Sequence, residues 1–406
     1  MVEKISQGAI IRGKEGLTFP EERPKPSADL IYLDHHASTP ILPQVRNAML
    51  PWIDGGFGNP SNSLHKYGQE ARKAVDWART QVAQLINAAP EEIIFTSGAT
   101  EANNLAITGA VRAAENFRGI LTSELEHPSV TEPVALLARN GRDVWTVQAD
   151  NNSRIAPADV GQILSERDIN LVSIIAVQGE IGTINAIPEI AKVVHDYGAL
   201  IHTDAAQAVG KIPVDVRDWD VDFLTIAGHK MYAPKGVGAL YRKEGVPLEP
   251  ILHGAGHENG MRPGTENVPY LVGFGEACRL ARSDLEEEAE RQIELRNLLW
   301  EKLHGTLPEV RLNGPLENRH PGNLHVSFPS VDARNILEKL PGYALSVGSA
   351  CHSEYPEDNP LIRALDIPPE YARGSVRIGI GRSNTRHQID NFADDLIAAY
   401  RTVLKK

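Results

Sequence analysis

One pattern limits the folds open to this chain more than any other: strand-like apolar runs alternate with helical periodicity from Glu92 to Arg242. The runs are EIIFTSG, GILTSELEH, DVWTVQAD, NLVSIIAVQGEIG, ALIHTDAAQ, VDFLTIAGHK and GVGALYR, with helical segments between most of them. Such alternation specifies an α/β fold with a mostly parallel sheet covered by helices. Ligands of these sheets bind beyond the carboxyl ends of the strands. Here those ends carry Thr100, His127, Asp204, Gln207 and Lys230.

Within AGHKMYAPKGVGAL, Lys230 follows a strand-like run (Asp222 to Ile226) and precedes a Gly/Pro-rich turn. That placement holds a lysine at a strand end rather than on a solvated helix face. The run ALIHTDAAQAVG ends on Asp204 and Gln207, so an amine, an acid and an amide converge on one sheet edge. Such a trio suits pyridoxal phosphate. Lys230 would condense with its aldehyde, Asp204 would keep the ring nitrogen protonated, and Gln207 would bond the ring hydroxyl. A surface lysine and a strand-end aspartate would leave the same spacing, and spacing alone does not separate the two readings. In EIIFTSGATEANNLAI a glycine turn feeds a helix N-terminus, whose amides and dipole attract anions. Gly98, Ala99 and Thr100 are therefore the predicted phosphate cradle, on a motif that many turns share. His127 suits stacking over a flat cofactor and an ordinary buried, hydrogen-bonded role equally well.

With 406 residues the chain exceeds one ordinary core, so two domains are expected. A net charge of −12 opposes phosphate backbones, and no basic stripe with interleaved aromatics is present, which argues against nucleic acid. No apolar run reaches membrane-span length and the first thirty residues lack an apolar signal core, so a cytoplasmic location is the default. The two cysteines, Cys278 and Cys351, are too few for a disulfide framework and form no Cys-x-x-Cys zinc pair. A metal site is not indicated. From Leu30 the run IYLDHHASTP reads as a short strand ending at Asp34, and adjacent histidines such as His35 and His36 on a strand face opposite ways, so they do not readily share an ion.

Residues 1 to 28 read as a polar, proline-bearing surface arm. Apolar positions from Tyr67 to Ile86 follow the helical period, and a long charged helix from Gly275 to about His304 looks like a bridge into a second domain. Beyond it, NLHVSF and SVRIGI are strands and HQIDNFADDLIAAYRTVL is a closing amphipathic helix. Between those strands lies YALSVGSACHSEYPEDNP. Cys351 sits there among Ser, Gly, Pro and acidic residues, beside His352, a setting that favours a reactive thiolate, whereas Cys278 in GEACRLA is an inert helical cysteine.

Taken together, these motifs resemble the pyridoxal-phosphate-dependent cysteine desulfurases of the class V aminotransferase group, with selenocysteine lyases as close relatives. FTSGATE, the histidine of LEH, DAAQAVGK, GHKMYAPKGVGAL, HGAGHENGMRPGTEN, GSAC and SVRIGIGR stand in the family's order from about Ile31 to Thr385. The resemblance implies a fold type I homodimer. Its large domain, 42–285, would hold a mostly parallel seven-stranded sheet, and residues 1–41 with 286–406 would form a smaller α+β domain. It implies that Ala99 and Thr100 hold the phosphate, that His127 stacks on the ring, and that Asp204 and Gln207 contact it. His229 would assist phosphate binding, Thr265 would reach the phosphate across the dimer, and Arg377 would bind the substrate carboxylate. Cys351 would take sulfur from L-cysteine, or selenium from L-selenocysteine, as a persulfide-type species, leave L-alanine, and pass the sulfur to an acceptor protein.

Two departures stand out. Where the family usually carries Asn-Asn-Glu, this chain reads Gln178, Gly179 and Glu180, and Ala227 replaces a common phosphate-binding serine. Weak activity on cysteine is the expectation. A lyase or transaminase for another amino acid would not need Cys351, and a non-enzymatic dimeric scaffold would not need Lys230, Asp204, Gln207, Cys351 and Arg377 together.

Overall fold

The alternating apolar runs become the strands of a single sheet. The computed structural model describes residues 30–348 and 359–405. After β1 (Ile31–Tyr32) come β2 (Ile93–Thr96), β3 (Gly119–Ser123), β4 (Asp143–Val147), β5 (Leu171–Ser173), β6 (Leu200–Asp204), β7 (Phe223–Ala227) and β8 (Gly238–Arg242). The last seven form the sheet in the order β2-β8-β7-β6-β5-β3-β4. Only β8 runs against its neighbours, pairing antiparallel with both β2 and β7, while the other pairs are parallel. All residues of β2, β3, β5 and β7 are buried. That explains why these strands read as continuous apolar runs rather than alternating ones.

Helices cover both faces: α1 (Pro43–Asp54), α2 (Lys66–Leu85), α3 (Ala99–Ala113), α4 (Pro128–Arg139), α5 (Pro157–Glu166), α6 (Ile187–Asp196) and the one-turn α7 (Val216–Trp219). One core packs α2, α6 and α8 (Val268–Thr306) against the sheet, and another sits under α3 and α4. The helix α8 begins at Val268, earlier than the Gly275 expected. Pro269 occupies its first turn, where a missing amide costs nothing. Asp284 interrupts it with φ −134° and ψ 21°.

Beyond that break, α8 joins a separate core with a four-stranded antiparallel sheet, β12-β13-β10-β9. Its strands are β9 (Arg311–Leu312), β10 (Asn323–Ser327), β12 (Ser346–Val347) and β13 (Ser375–Gly379), and β11 (Tyr343–Ala344) pairs parallel with β1. Short helices α9 (Ala333–Leu337), α10 (Pro360–Ala364) and α11 (Pro369–Ala372) precede the closing helix α12 (Arg386–Leu404), which starts with a Thr385/Gln388 capping box.

The expected strand through Asp34 is shorter than the sequence suggested. It ends at Tyr32 because its partner β11 is only two residues long, and Asp34 makes a single bridge to Gly379. His35 and His36 thus lie in a turn rather than on opposite faces of a strand, and both are buried. Among the described residues no group of three or more His, Cys, Asp or Glu side chains could hold a metal ion. No described helix is long and apolar enough to cross a membrane.

Candidate active site

At the carboxyl ends of β2, β3, β6 and β7 the chain encloses a cavity of about 870 Å³. Its lining includes Ala99, Thr100, His127, Asp204, Gln207, His229, Lys230 and Arg377. Gly98 lines it as well, so the strand ends bring together all the site residues singled out from the sequence except Thr265 and Cys351. Thr265 is exposed and does not line the cavity within one chain. Cys351 lies outside the described residues, as do the N-terminal arm and His352.

Lys230 is delivered by β7, which runs into a single 3-10 turn, Gly228–Lys230. Gly228 is required there, since a Cβ would approach the Val237 carbonyl oxygen to 2.8 Å. The Lys230 ammonium donates to the carbonyls of His36 and Ala37, the latter at 3.0 Å. Burial lowers its pKa to about 8, and the Arg377 charge adds to the effect, while Asp204, Asp34 and Glu180 oppose it.

Asp204 ends β6 and is 3% exposed. One oxygen accepts from the Ala206 amide at 2.9 Å, the other from Asn103 Nδ2 at 2.8 Å. Gln207 Nε2 donates to the His36 carbonyl at 3.0 Å, so the two functional residues Gln207 and Lys230 share one backbone anchor.

The turn before α3 has Gly98 at φ 152°, outside the comfortable range of a residue with a side chain. A Cβ there would meet nothing within 4 Å, so open space lies over the helix start. First-turn amides have no acceptor within their own helix, so those of Ala99 and Thr100 present donors and a positive dipole end to that space. His229 lies across the cavity with Nδ1 3.4 Å from Ser38 Oγ, and burial lowers its pKa to about 4, which keeps it neutral. His127 caps α4, its Nδ1 accepting from the Ser129 amide at 3.1 Å.

Arg377, on β13, donates from Nη1 to Glu180 at 2.7 Å and from Nη2 to Asp34 at 3.1 Å. The sequence pointed to neither acid, nor to Asn103, Ser129 and Glu126. Asn103 is fully buried on the face of α3 that otherwise carries Ala102, Leu105, Ala106, Ile107 and Ala110, so it interrupts the apolar helical period. Glu126 also lines the cavity, and burial pushes its carboxyl up to about 8. At the departing positions, Gln178 turns its Oε1 back onto the amides of Glu180 (2.6 Å) and Ile181 (2.9 Å). Gly179 faces Gln207, and a Cβ there would lie 3.4 Å from Gln207 Nε2.

These groups fit pyridoxal phosphate. An open helix N-terminus offers donors for a phosphate, a half-buried amine with a depressed pKa suits an aldehyde, and a buried, doubly hydrogen-bonded carboxylate suits a ring nitrogen.

The sequence matches the aminotransferase class-V family over residues 31–392. It is 43% identical to the cysteine desulfurase IscS of Shewanella piezotolerans, over 89% of this chain and 90% of that protein. It is 41% identical to the cysteine desulfurase IscS of Dictyoglomus turgidum, over 90% and 93% of the two chains. Among solved structures, SspA in complex with cysteine superposes with a TM-score of 0.76 at 31% identity, covering 87% of this chain and all of the other. With the family matched over residues 31–392 and these relatives alike over 89% or more of each chain, the chain belongs to the class-V aminotransferases, a pyridoxal-phosphate-dependent family, in its cysteine desulfurase branch.

Proposed function

We propose that this chain holds pyridoxal 5'-phosphate on Lys230 and uses it to remove sulfur from L-cysteine, leaving L-alanine and a persulfide on Cys351. The observation that carries the reading is Lys230 itself, a half-buried amine at a strand end, with its pKa lowered to about 8, in the same cavity as Asp204, Gln207 and His127. In this reading Ala99, Thr100 and His229 hold the phosphate, His127 lies against the ring, and Asp204 and Gln207 hold its nitrogen and hydroxyl.

When bound, the cofactor supplies an electron sink that makes the α-proton of the amino acid acidic and its β-substituent replaceable. Lys230 Nζ takes that proton and returns it, for which a pKa of about 8 is well matched to neutral solution. Arg377 binds the substrate carboxylate by charge-assisted hydrogen bonds. The Cys351 thiolate attacks the substrate sulfur. The new S–S bond forms as the C–S bond breaks, and the electron pair of that bond stays with the substrate carbon, which is then protonated. Residues 359–361, a short way beyond Cys351 in the chain, line the cavity, which supports a role for this part of the sequence. A protein that accepts the sulfur and a cytoplasmic location complete the reading.

A homodimer belongs to the same proposal, with Thr265 of a second copy reaching the phosphate. It is supported by an apolar face on and between α1 and α2: Ile53, Phe57, Leu64 and Tyr67 are 57%, 80%, 92% and 54% exposed, and Phe57 stacks on Tyr67. The division into 42–285 and 1–41 with 286–406 is likewise proposed, supported by the separate cores and the break at Asp284.

The test is to incubate the purified protein with cysteine and, separately, selenocysteine, and to measure alanine and chalcogenide with and without reductant. Lys230→Ala is expected to yield neither product. No alanine from cysteine with the intact protein would defeat the proposal, and alanine from selenocysteine alone would reassign the substrate.

A further inference from the structure

We infer that Ser129 and Asn103 are positioning residues which fix His127 as the tautomer protonated on Nε2 and tie it to Asp204. The chain of contacts begins at Asp204 Oδ2, which accepts from Asn103 Nδ2 at 2.8 Å. The same Asn103 nitrogen donates to Ser129 Oγ at 2.7 Å. Ser129 Oγ in turn lies 2.7 Å from His127 Nδ1, and the Ser129 backbone amide approaches that nitrogen at 3.1 Å.

Each donor in this series is settled by chemistry. A backbone amide can only donate, so His127 Nδ1 must offer a lone pair. A carboxylate can only accept, so the Asn103 amide must turn its nitrogen toward Asp204. Both Asn103 amide hydrogens are then used, and Ser129 Oγ, having accepted one of them, turns its own hydrogen to His127. Protonating Nδ1 would set a new N–H against the Ser129 amide. His127 is also the N-cap of α4, where the positive end of the helix dipole disfavours an imidazolium. Burial is the main cause that lowers the His127 pKa; of the charged groups bearing on the ring, Asp204 opposes that shift and Lys230 adds to it, while Glu126, its sequence neighbour, keeps its proton at neutral pH.

Asn103 is fully buried and Ser129 nearly so. Their consequence for catalysis rests on the proposed placement of the cofactor: His127 meets it as a neutral ring that donates from Nε2 and whose Nδ1 lone pair is engaged by the two Ser129 donors. The tautomer itself is a property of the protein without cofactor. It can be read there, so failure of the desulfurase proposal would leave it standing.

The experiment uses the full-length protein with its histidines labelled with 15N and 13C, first free of cofactor, and His127→Gln to assign the resonance. In the wild type His127 is expected to be protonated on Nε2 alone at neutral pH, and to titrate below the ordinary histidine value. Ser129→Ala, which removes one donor to the neutral ring, is expected to raise that midpoint by about half to one pH unit, and Ser129→Thr to restore it. Asn103→Ala is expected to raise it by less. Detection of the Nδ1-protonated tautomer in the wild type would overturn the inference without recourse to any variant. So would a midpoint that falls or stays in Ser129→Ala, and an unmoved Asn103→Ala would remove Asn103 from the series.

Discussion

Arg377 is shared between Glu180 and Asp34, which accept from its two terminal nitrogens at 2.7 and 3.1 Å. Its Nε is buried without a partner among the described residues. A substrate carboxylate arriving at this guanidinium therefore competes with Glu180 for the same donors. Glu180→Gln, which weakens the competitor while keeping its shape, is expected to lower KM for cysteine several-fold. Arg377→Ala is expected to raise it by about one to two orders of magnitude. Steady-state alanine formation checks both. A higher KM in Glu180→Gln would mean that the acid orients the arginine instead of competing with the substrate.

The two cysteines should separate cleanly. Cys278 is fully buried in α8, and burial pushes its thiol far above the ordinary range, so no thiolate forms there at neutral pH. Cys351→Ala is expected to abolish persulfide formation while cofactor binding survives, and Cys278→Ala to behave as wild type in sulfur transfer. Mass spectrometry of the protein after exposure to cysteine locates the added sulfur. Finding it on Cys278 would end the assignment of Cys351.

Gly179 supplies no side chain where the family resemblance implies an asparagine amide near the bound substrate. The position tolerates a side chain: its backbone is not left-handed, and a Cβ would make ordinary contact with Gln207. Gln178 cannot fully substitute, because its oxygen is committed to the amides of Glu180 and Ile181. Weak turnover of cysteine by the wild type is the expected result. Gly179→Asn is expected to raise kcat/KM by about one to two orders of magnitude, the worth of a hydrogen bond to a charged group. Kinetics of Gly179→Asn beside Gln178→Ala decides the matter. An efficient enzyme crippled by Gln178→Ala and indifferent to Gly179→Asn would show that the glutamine has taken over.

Glu126 should give stability a distinct pH dependence. Burial raises its folded pKa to about 8 from an ordinary value of 4.5, so between these pH values the folded state keeps a proton that the unfolded chain releases. Stability from this group is full below the unfolded value and is lost as pH rises toward 8. Glu126→Gln keeps an oxygen to accept from Ser123 and Ile175 while removing the titration. Urea unfolding at pH 5 and pH 8 should find the variant gaining on the wild type with pH, by up to on the order of 4 kcal/mol. A gap independent of pH would show that Glu126 titrates normally.

The sheet was legible because buried parallel strands leave continuous apolar runs, and Lys230, Asp204 and Gln207 because strand ends are where such sheets place ligands. What escaped detection depends on partners remote in sequence. Asn103 meets Asp204 from another element, and Asp34 meets Arg377 from the opposite end of the chain, so no local pattern announces either pair. The helix α8 starts at Val268 rather than Gly275 because Pro269 fits its first turn, where the missing amide costs nothing. Thr265 has no role within the cavity of one chain, and its expected partner is a second copy.

The pairing of β1 with β11 also ties the cover of Lys230 to the antiparallel sheet. Ile31 and Tyr32 lie beside Tyr343 and Ala344, and the Leu33 carbonyl accepts from Gly379. The carbonyls of His36 and Ala37 that grip Lys230 follow immediately after this strand. The same segment is held from the other side by the large domain, where Thr39 donates to the His229 carbonyl and Gln207 to that of His36. The cover over Lys230 is thus tied to both sheets, and a shift of one against the other would be felt at the amine.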